Sequence, residues 1–154
     1  MLKFYAALLD RFQDLHREAR LALEALPPEA WDWRPSPGVN PLTVLIIHLA
    51  GAERFWIGDV VRGDSSQRDR AAEFEAHGLE AAALRQRLEQ LDAYEAAVFA
   101  EMRLDDLDAD CRSPRDGRQH SVAWALSHAL EHTAVHVGQI QTLKQLWLER
   151  PAGG

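Results

Sequence analysis

Apolar residues recur along this chain at spacings of three and four, the period of an amphipathic helix. Phe4, Leu8, Phe12, Leu15, Ala19, Leu23 and Leu26 mark a first helix from about Leu2 to Leu26. Pro27-Pro28 ends it, because neither proline can extend the hydrogen-bond ladder. A loop rich in Pro and Trp runs from Glu29 to Val39. Asn40-Pro41 opens a second helix, with Asn as N-cap and Pro in the first helical position. Its stripe is Leu42, Leu45, Leu49, Ala52, Trp56 and Val60, and Gly63 is placed to stop it.

The polar run from Asp64 to Arg70 reads as a loop. A third helix is most secure from Leu79 to Met102, with Leu84, Leu88, Leu91, Tyr94, Val98 and Met102 on its buried side. Leu104 to His120 is the least regular part, and Asp116-Gly117 is a turn signal that could close a short hairpin. Ser121 is placed to cap a fourth helix that runs to about Glu149 and carries few charges, which predicts a central position. Pro151 and the following residues end the pattern. The expectation is an all-α four-helix bundle with a crossover connection, formed as a single domain over 1–154.

Composition narrows the function classes. The chain has 154 residues, with 17 Lys+Arg against 24 Asp+Glu and a formal net charge of −7. An acidic chain is a poor holder of a phosphate backbone or an anionic membrane surface, so neither nucleic acid nor membrane is an expected partner. A single cysteine, Cys111, excludes an intramolecular disulfide and a Cys-rich zinc site. The longest apolar stretch, Val44 to Ala52, is too short for a membrane span. The start of the chain lacks a signal-peptide pattern, and a cytoplasmic location is expected.

Histidine is the unusual component. The chain has seven, with His128, His132 and His136 at i, i+4 and i+8 of the fourth helix. An i,i+4 pair puts two imidazoles on one face, where both can reach one cation. Each step of four drifts about 40° around the axis, so three in a row do not converge. A third ligand must come from another helix, and His48 in the second helix is the best candidate. A buried imidazole there needs a partner, and coordination uses its neutral ring. Spacing alone leaves metal ligation and hydrogen-bonded core histidines as alternatives, and does not choose the pair. His132-Thr133-Ala134-Val135-His136 lacks a glutamate after its first histidine, so the general base of the zinc-protease motif is absent. His16, His77 and His120 read as surface or loop residues, and Trp31, Trp33 and Trp56 as a cluster that forms either core or a lid, with core favoured.

Three segments resemble the DinB/YfiT-like superfamily of metal-binding four-helix bundles. They are Leu26-Pro27-Pro28-Glu29-Ala30-Trp31-Asp32-Trp33-Arg34-Pro35, Val44-Leu45-Ile46-Ile47-His48-Leu49-Ala50-Gly51 and His132-Thr133-Ala134-Val135-His136-Val137-Gly138-Gln139-Ile140. The last, an H-x-x-x-H-x-G-Q pattern, is the most specific. The resemblance implies a divalent ion, zinc or nickel, on His48, His132 and His136. His128 and Gln139 become candidates for supporting roles beside it. It also implies a function of thiol S-transferase or hydrolase type, since the superfamily includes thiol-dependent transferases and a mycothiol-dependent maleylpyruvate isomerase. A small-molecule thiol or electrophile would then be the partner, and a homodimer the assembly. The alternative is a non-catalytic metal-binding bundle with a structural or stress-related role. Three imidazoles leave an open coordination position for a water or a thiol, so the chemistry needs no protein thiol. Cys111 therefore reads as incidental.

Overall fold

The computed structural model describes residues 1–151; Ala152, Gly153 and Gly154 lie outside the described residues. In chain order the elements are α1 (Lys3–Glu24), a short α2 (Pro28–Trp31) and α3 (Leu42–Arg54), which continues as a π-helical segment, Phe55–Arg62. Then come a short α4 (Arg70–Phe74), α5 (Ala81–Glu101), a 3-10 turn (Leu104–Asp108), strands β1 (Asp110–Arg112) and β2 (Gln119–Ser121), and α6 (Val122–Glu149). The strands form the expected hairpin, with Asp110 opposite Ser121, and Gly117 takes the left-handed conformation at its turn. Ser121 caps α6, its Oγ accepting from the Trp124 N–H. α6 has 28 residues and is ~42 Å long. None of the described helices is long and apolar enough to cross a membrane.

α1, α3, α5 and α6 form the four-helix bundle, and their directions are fixed by pairs along their lengths. The Tyr5 hydroxyl donates to the Arg103 carbonyl while Arg85 approaches Glu24, so α1 and α5 are antiparallel. His48 meets His132 and Trp56 meets Trp124, so α3 and α6 are antiparallel. Arg54 covers the Tyr94 ring and Arg62 pairs with Glu101, so α3 and α5 are parallel neighbours. Parallel neighbours cannot be joined by a short turn. Residues 63–80 therefore travel back along the bundle, and this is the crossover. The Asp64–Arg70 loop thus leads into α4, which Asp69 caps by accepting from the Ala72 N–H. Asn40 does not cap α3; Pro41 takes the N-cap position and the helix starts at Leu42.

The core has two large apolar clusters with a polar layer between them, and a third, small one of Phe55, Val60 and Ala125. One gathers Leu23, Leu45, Leu49, Leu88, Ile140 and Trp147. The other gathers Tyr5, Phe12, Ile57, Phe99 and Leu126. Between them His16 from α1, Glu53 from α3, Glu95 from α5 and Thr133 from α6 are all fully buried. His16 thus corrects the sequence reading, which places it at the surface. The buried stripe of α1 is Tyr5, Leu9, Phe12, His16, Ala19, Ala22 and Leu23, rotated by roughly 40° from the expected one. Phe4, on the expected stripe, is 48% exposed. Glu95 likewise takes the inward place expected of Tyr94.

His16 Nδ1 lies 2.6 Å from Asp92 Oδ1, and Arg20 donates to the other Asp92 oxygen. His16 Nε2 is 2.9 Å from Glu53 Oε1, and the Thr133 hydroxyl donates to Glu53 Oε2. Burial disfavours the His16 imidazolium, but Glu53 and Asp92 outweigh it and raise the ring to about 9. Burial, then the charge of Glu53, pushes the Glu95 carboxyl well above its usual range. Both groups hold protons more tightly folded than unfolded, so both stabilise at low pH and lose that contribution as pH rises. In metal-free protein the melting temperature is expected to fall as pH rises from about 6.5 to 9, the window between the free and folded histidine values. His16→Gln is expected to flatten that fall, measured by thermal denaturation across the range.

Candidate metal centre

His48 lies midway along α3 on the side facing α6, and is 6% exposed. His132 and His136, one turn apart on α6, are half-buried opposite it. One ring nitrogen from each of the three lies within 4.8 Å of the others. The ring centroids are 5.1 Å (His48–His132), 4.9 Å (His48–His136) and 4.4 Å (His132–His136) apart. The His132 and His136 Nε2 atoms approach to 3.2 Å. The helical drift that spacing predicts is visible in His128. Its ring lies 6.1 Å from that of His132, turned toward tryptophans instead.

The other face of two rings is held by acceptors. His48 Nδ1 is 2.8 Å from Glu73 Oε2, and a carboxylate only accepts, so the proton is on Nδ1 and the Nε2 lone pair faces the cluster. Gln139 Oε1 sits 2.7 Å from His136 Nδ1 and does the same for that ring. Buried His132 Nδ1 has no partner among the described residues. Burial opposes charge on Glu73, yet hydrogen bonds from Arg68 and His48 hold its carboxyl below the usual range. Arg68 grips it with two bonds, of 2.5 and 2.7 Å. Burial, then the neighbouring cationic forms of His136 and His48, drives His132 down to about 3. Burial also lowers His136, with His48 adding to it and Gln139 opposing. His132 and His136 are therefore biased toward the neutral ring, the protonation state that divalent ions require. Acceptors fixing the distal nitrogens are the usual surroundings of metal-ligating histidines.

Arg68 and Glu73 are absent from the sequence reading. They come from the crossover, and no spacing rule links Glu73 to His48, 25 residues earlier. Asp69 ahead of Arg70-Ala71-Ala72-Glu73 is the one available signal, an N-cap marking a short helix. Gly51 lies one turn after His48, and a Cβ there would collide with the Glu73 carboxylate. Glycine at this position is what lets α4 approach.

A cleft of about 320 Å³ opens over His48 and His132. The hairpin, α6 and the π-helical segment enclose it. π-type winding recurs at functional sites, and here it places Trp56 against His128 at 4.7 Å. His128 also stacks on Trp124, which stacks on His120, forming one aromatic wall. His120 is thus half-buried on β2 beside the cleft, whereas His77 is an exposed loop residue as expected. Trp31 and Trp33 pack in the other end of the molecule, so the three tryptophans do not form one group. Arg68, Arg70, Arg115 and Arg118 line the cleft, against one acid, Asp116. Cys111 bonds the His120 carbonyl through its thiol, which burial and Asp110 push up, so it is held as the thiol. A larger cavity, of about 730 Å³, lies on the other side of Glu73 and is lined by none of the histidines.

Bundle and histidine cluster together define a class of helical protein with a tri-histidine centre at the mouth of a cleft. The DinB superfamily model matches residues 10–140, and the chain belongs to that family. Comparison with curated proteins finds no match. Among solved structures, a conserved protein from Enterococcus faecalis superposes with a TM-score of 0.81 at 13% identity, covering 97% of this chain and 100% of its own. YfiT from Bacillus subtilis is described as a probable metal-dependent hydrolase with an unusual four-helix bundle topology. It superposes with a TM-score of 0.75 at 13% identity, covering 96% and 90%. A mutant of the mycothiol-dependent maleylpyruvate isomerase superposes with a TM-score of 0.65 at 16% identity, covering 91% of this chain and 63% of its own. These likenesses establish the fold.

In metal-free protein the His132 ring is expected to remain neutral down to pH about 4, because its value lies near 3. A depressed histidine stabilises above its free value and loses that contribution as pH falls. A proton titration followed by nitrogen-15 NMR reads this directly, and a midpoint near 6.5 would contradict the geometry. Gly51→Ala is expected to displace Glu73 and abolish the hydrogen-bonded His48 Nδ1–H signal in the same spectra.

Proposed function

We propose that His48, His132 and His136 hold a divalent ion, zinc or nickel, and that the protein is a metal-dependent enzyme acting on a low-molecular-weight thiol or water, of thiol S-transferase or hydrolase type. The observation that carries this reading is the convergence of three imidazoles at the mouth of an open cleft that His48 and His132 line. With three protein ligands, such an ion keeps a position for an exogenous group and acidifies the water or thiol bound there. Zinc and nickel both suit an all-imidazole donor set.

The surrounding residues have separate tasks. Glu73 and Gln139 orient the His48 and His136 rings through their Nδ1 protons. Arg68 is committed to Glu73, so its charge is partly neutralised. Arg70, Arg115 and Arg118 offer donors to an anionic ligand, which favours a thiol or electrophile bearing carboxylates. The wall of Trp56, Trp124 and His128 supplies the apolar side of the cleft and limits water. The well-packed apolar clusters at both ends argue against a bundle that needs this ion in order to fold.

Each of His48→Ala, His132→Ala and His136→Ala is expected to remove about one ion per chain, by elemental analysis of untagged protein from cells grown with added zinc and nickel. Metal contents unchanged in all three would sink the reading. In cobalt-substituted protein a carboxylated thiol is expected to shift the visible spectrum, and Arg118→Ala to weaken that binding about 3–10-fold, the range for one exposed charge-assisted contact. A large fall in melting temperature on metal removal, with no spectral response to thiols and no turnover of electrophiles or esters, would point to the structural role instead.

A further inference from the structure

The polar layer in the bundle centre has a second set of convergent donors. His16, Glu53 and Glu95, one from each of three helices, offer ligand atoms that all lie within 4.8 Å of one another. All three side chains are fully buried. Their inward atoms are the ones left without hydrogen bonds: His16 Nε2, Glu53 Oε1 and both oxygens of Glu95. His16 Nε2 and Glu53 Oε1 are 2.9 Å apart but are not aligned as donor and acceptor.

Their outward atoms, in contrast, are satisfied. Asp92 accepts a hydrogen bond from His16 Nδ1–H and a second from Arg20. Thr133 donates to Glu53 Oε2. This is the pattern found around ligating residues, in which an outer carboxylate fixes the histidine tautomer and a hydroxyl anchors the ligating carboxylate. Two carboxylates facing each other in a dry interior are costly unless a cation lies between them. We propose that the bundle holds a second divalent ion, bound by His16 Nε2, Glu53 Oε1 and the Glu95 carboxylate.

The donor set distinguishes this site from the histidine cluster. Two carboxylates and one imidazole are harder ligands than three imidazoles and suit manganese or iron(II). Bidentate binding by Glu95 would complete a closed, four-donor site. His16, Glu53 and Glu95 are fully buried and line neither of the two cavities, so the ion ties α1, α3 and α5 together and serves structure. Thr133 links it to α6 beside His132. Charge balances, because the ion faces two carboxylates while Asp92 is matched by Arg20.

The competing occupant is a pair of protons, one on His16 and one on Glu95, and elemental analysis separates the two. Untagged protein is prepared from cells grown with added manganese, iron, zinc and nickel. The His48→Ala/His132→Ala double variant is expected to retain about one ion per chain, and Glu95→Gln, which is isosteric, to lose about one relative to wild type. A folded double variant with less than about 0.2 ion per chain overturns the proposal, as does Glu95→Gln with the wild-type content. If the histidine cluster binds nothing, the double variant matches wild type while Glu95→Gln still loses its ion. That outcome removes the proposed function and keeps this site. Should Glu95→Gln not fold, the double variant refolded with manganese decides the matter by electron paramagnetic resonance. Bound, chelator-resistant manganese supports the site, and a fully free aqueous signal overturns it.

Discussion

The parallel packing of α3 against α5 is the constraint from which the site follows. Two neighbouring helices that run in the same direction cannot be joined at one end, so residues 63–80 must cross back over the bundle. That return path lays Arg68 and α4 across the middle of α3, where Gly51 leaves space for the Glu73 carboxylate beside His48. An up-down bundle with short turns would leave His48 Nδ1 facing solvent or an empty groove. The crossover is therefore part of the centre and not merely a connection.

Desolvation acts on both polar groups of the interior but with opposite results. Around His132 the neighbours are other imidazoles, nothing compensates a positive charge, and the ring is driven neutral. Around His16 the neighbours are carboxylates, and the same burial is outweighed so that the ring is held cationic in the absence of metal. Thr133 and His132 are adjacent on α6, so these two electrostatic environments abut. A bundle core this polar relies on the apolar clusters above and below it for cohesion.

The helices, the α6 cap and the hairpin turn were readable from apolar spacing, Ser121 and Asp116-Gly117. The histidine trio was readable only with the family resemblance added, because spacing did not select His132 and His136 over His128. His16 was misplaced and Glu95 overlooked for a single reason. Hydrophobic periodicity counts apolar residues, and a polar residue on the inward face reads as an interruption of the stripe. Arg68, Glu73 and the arginine-lined cleft carried no local signal beyond the Asp69 cap.

The amino-acid sequence by itself determined which segments are helical and which residues could bind a cation, since backbone propensity, caps and side-chain chemistry are local properties. Only the tertiary structure decided which of those residues meet. Whether His48 faces His132, whether Glu73 reaches His48, and whether His16 lies among carboxylates all depend on helix direction and rotation. Those are set by packing between segments distant in the chain, and the free energy of that packing belongs to the whole bundle.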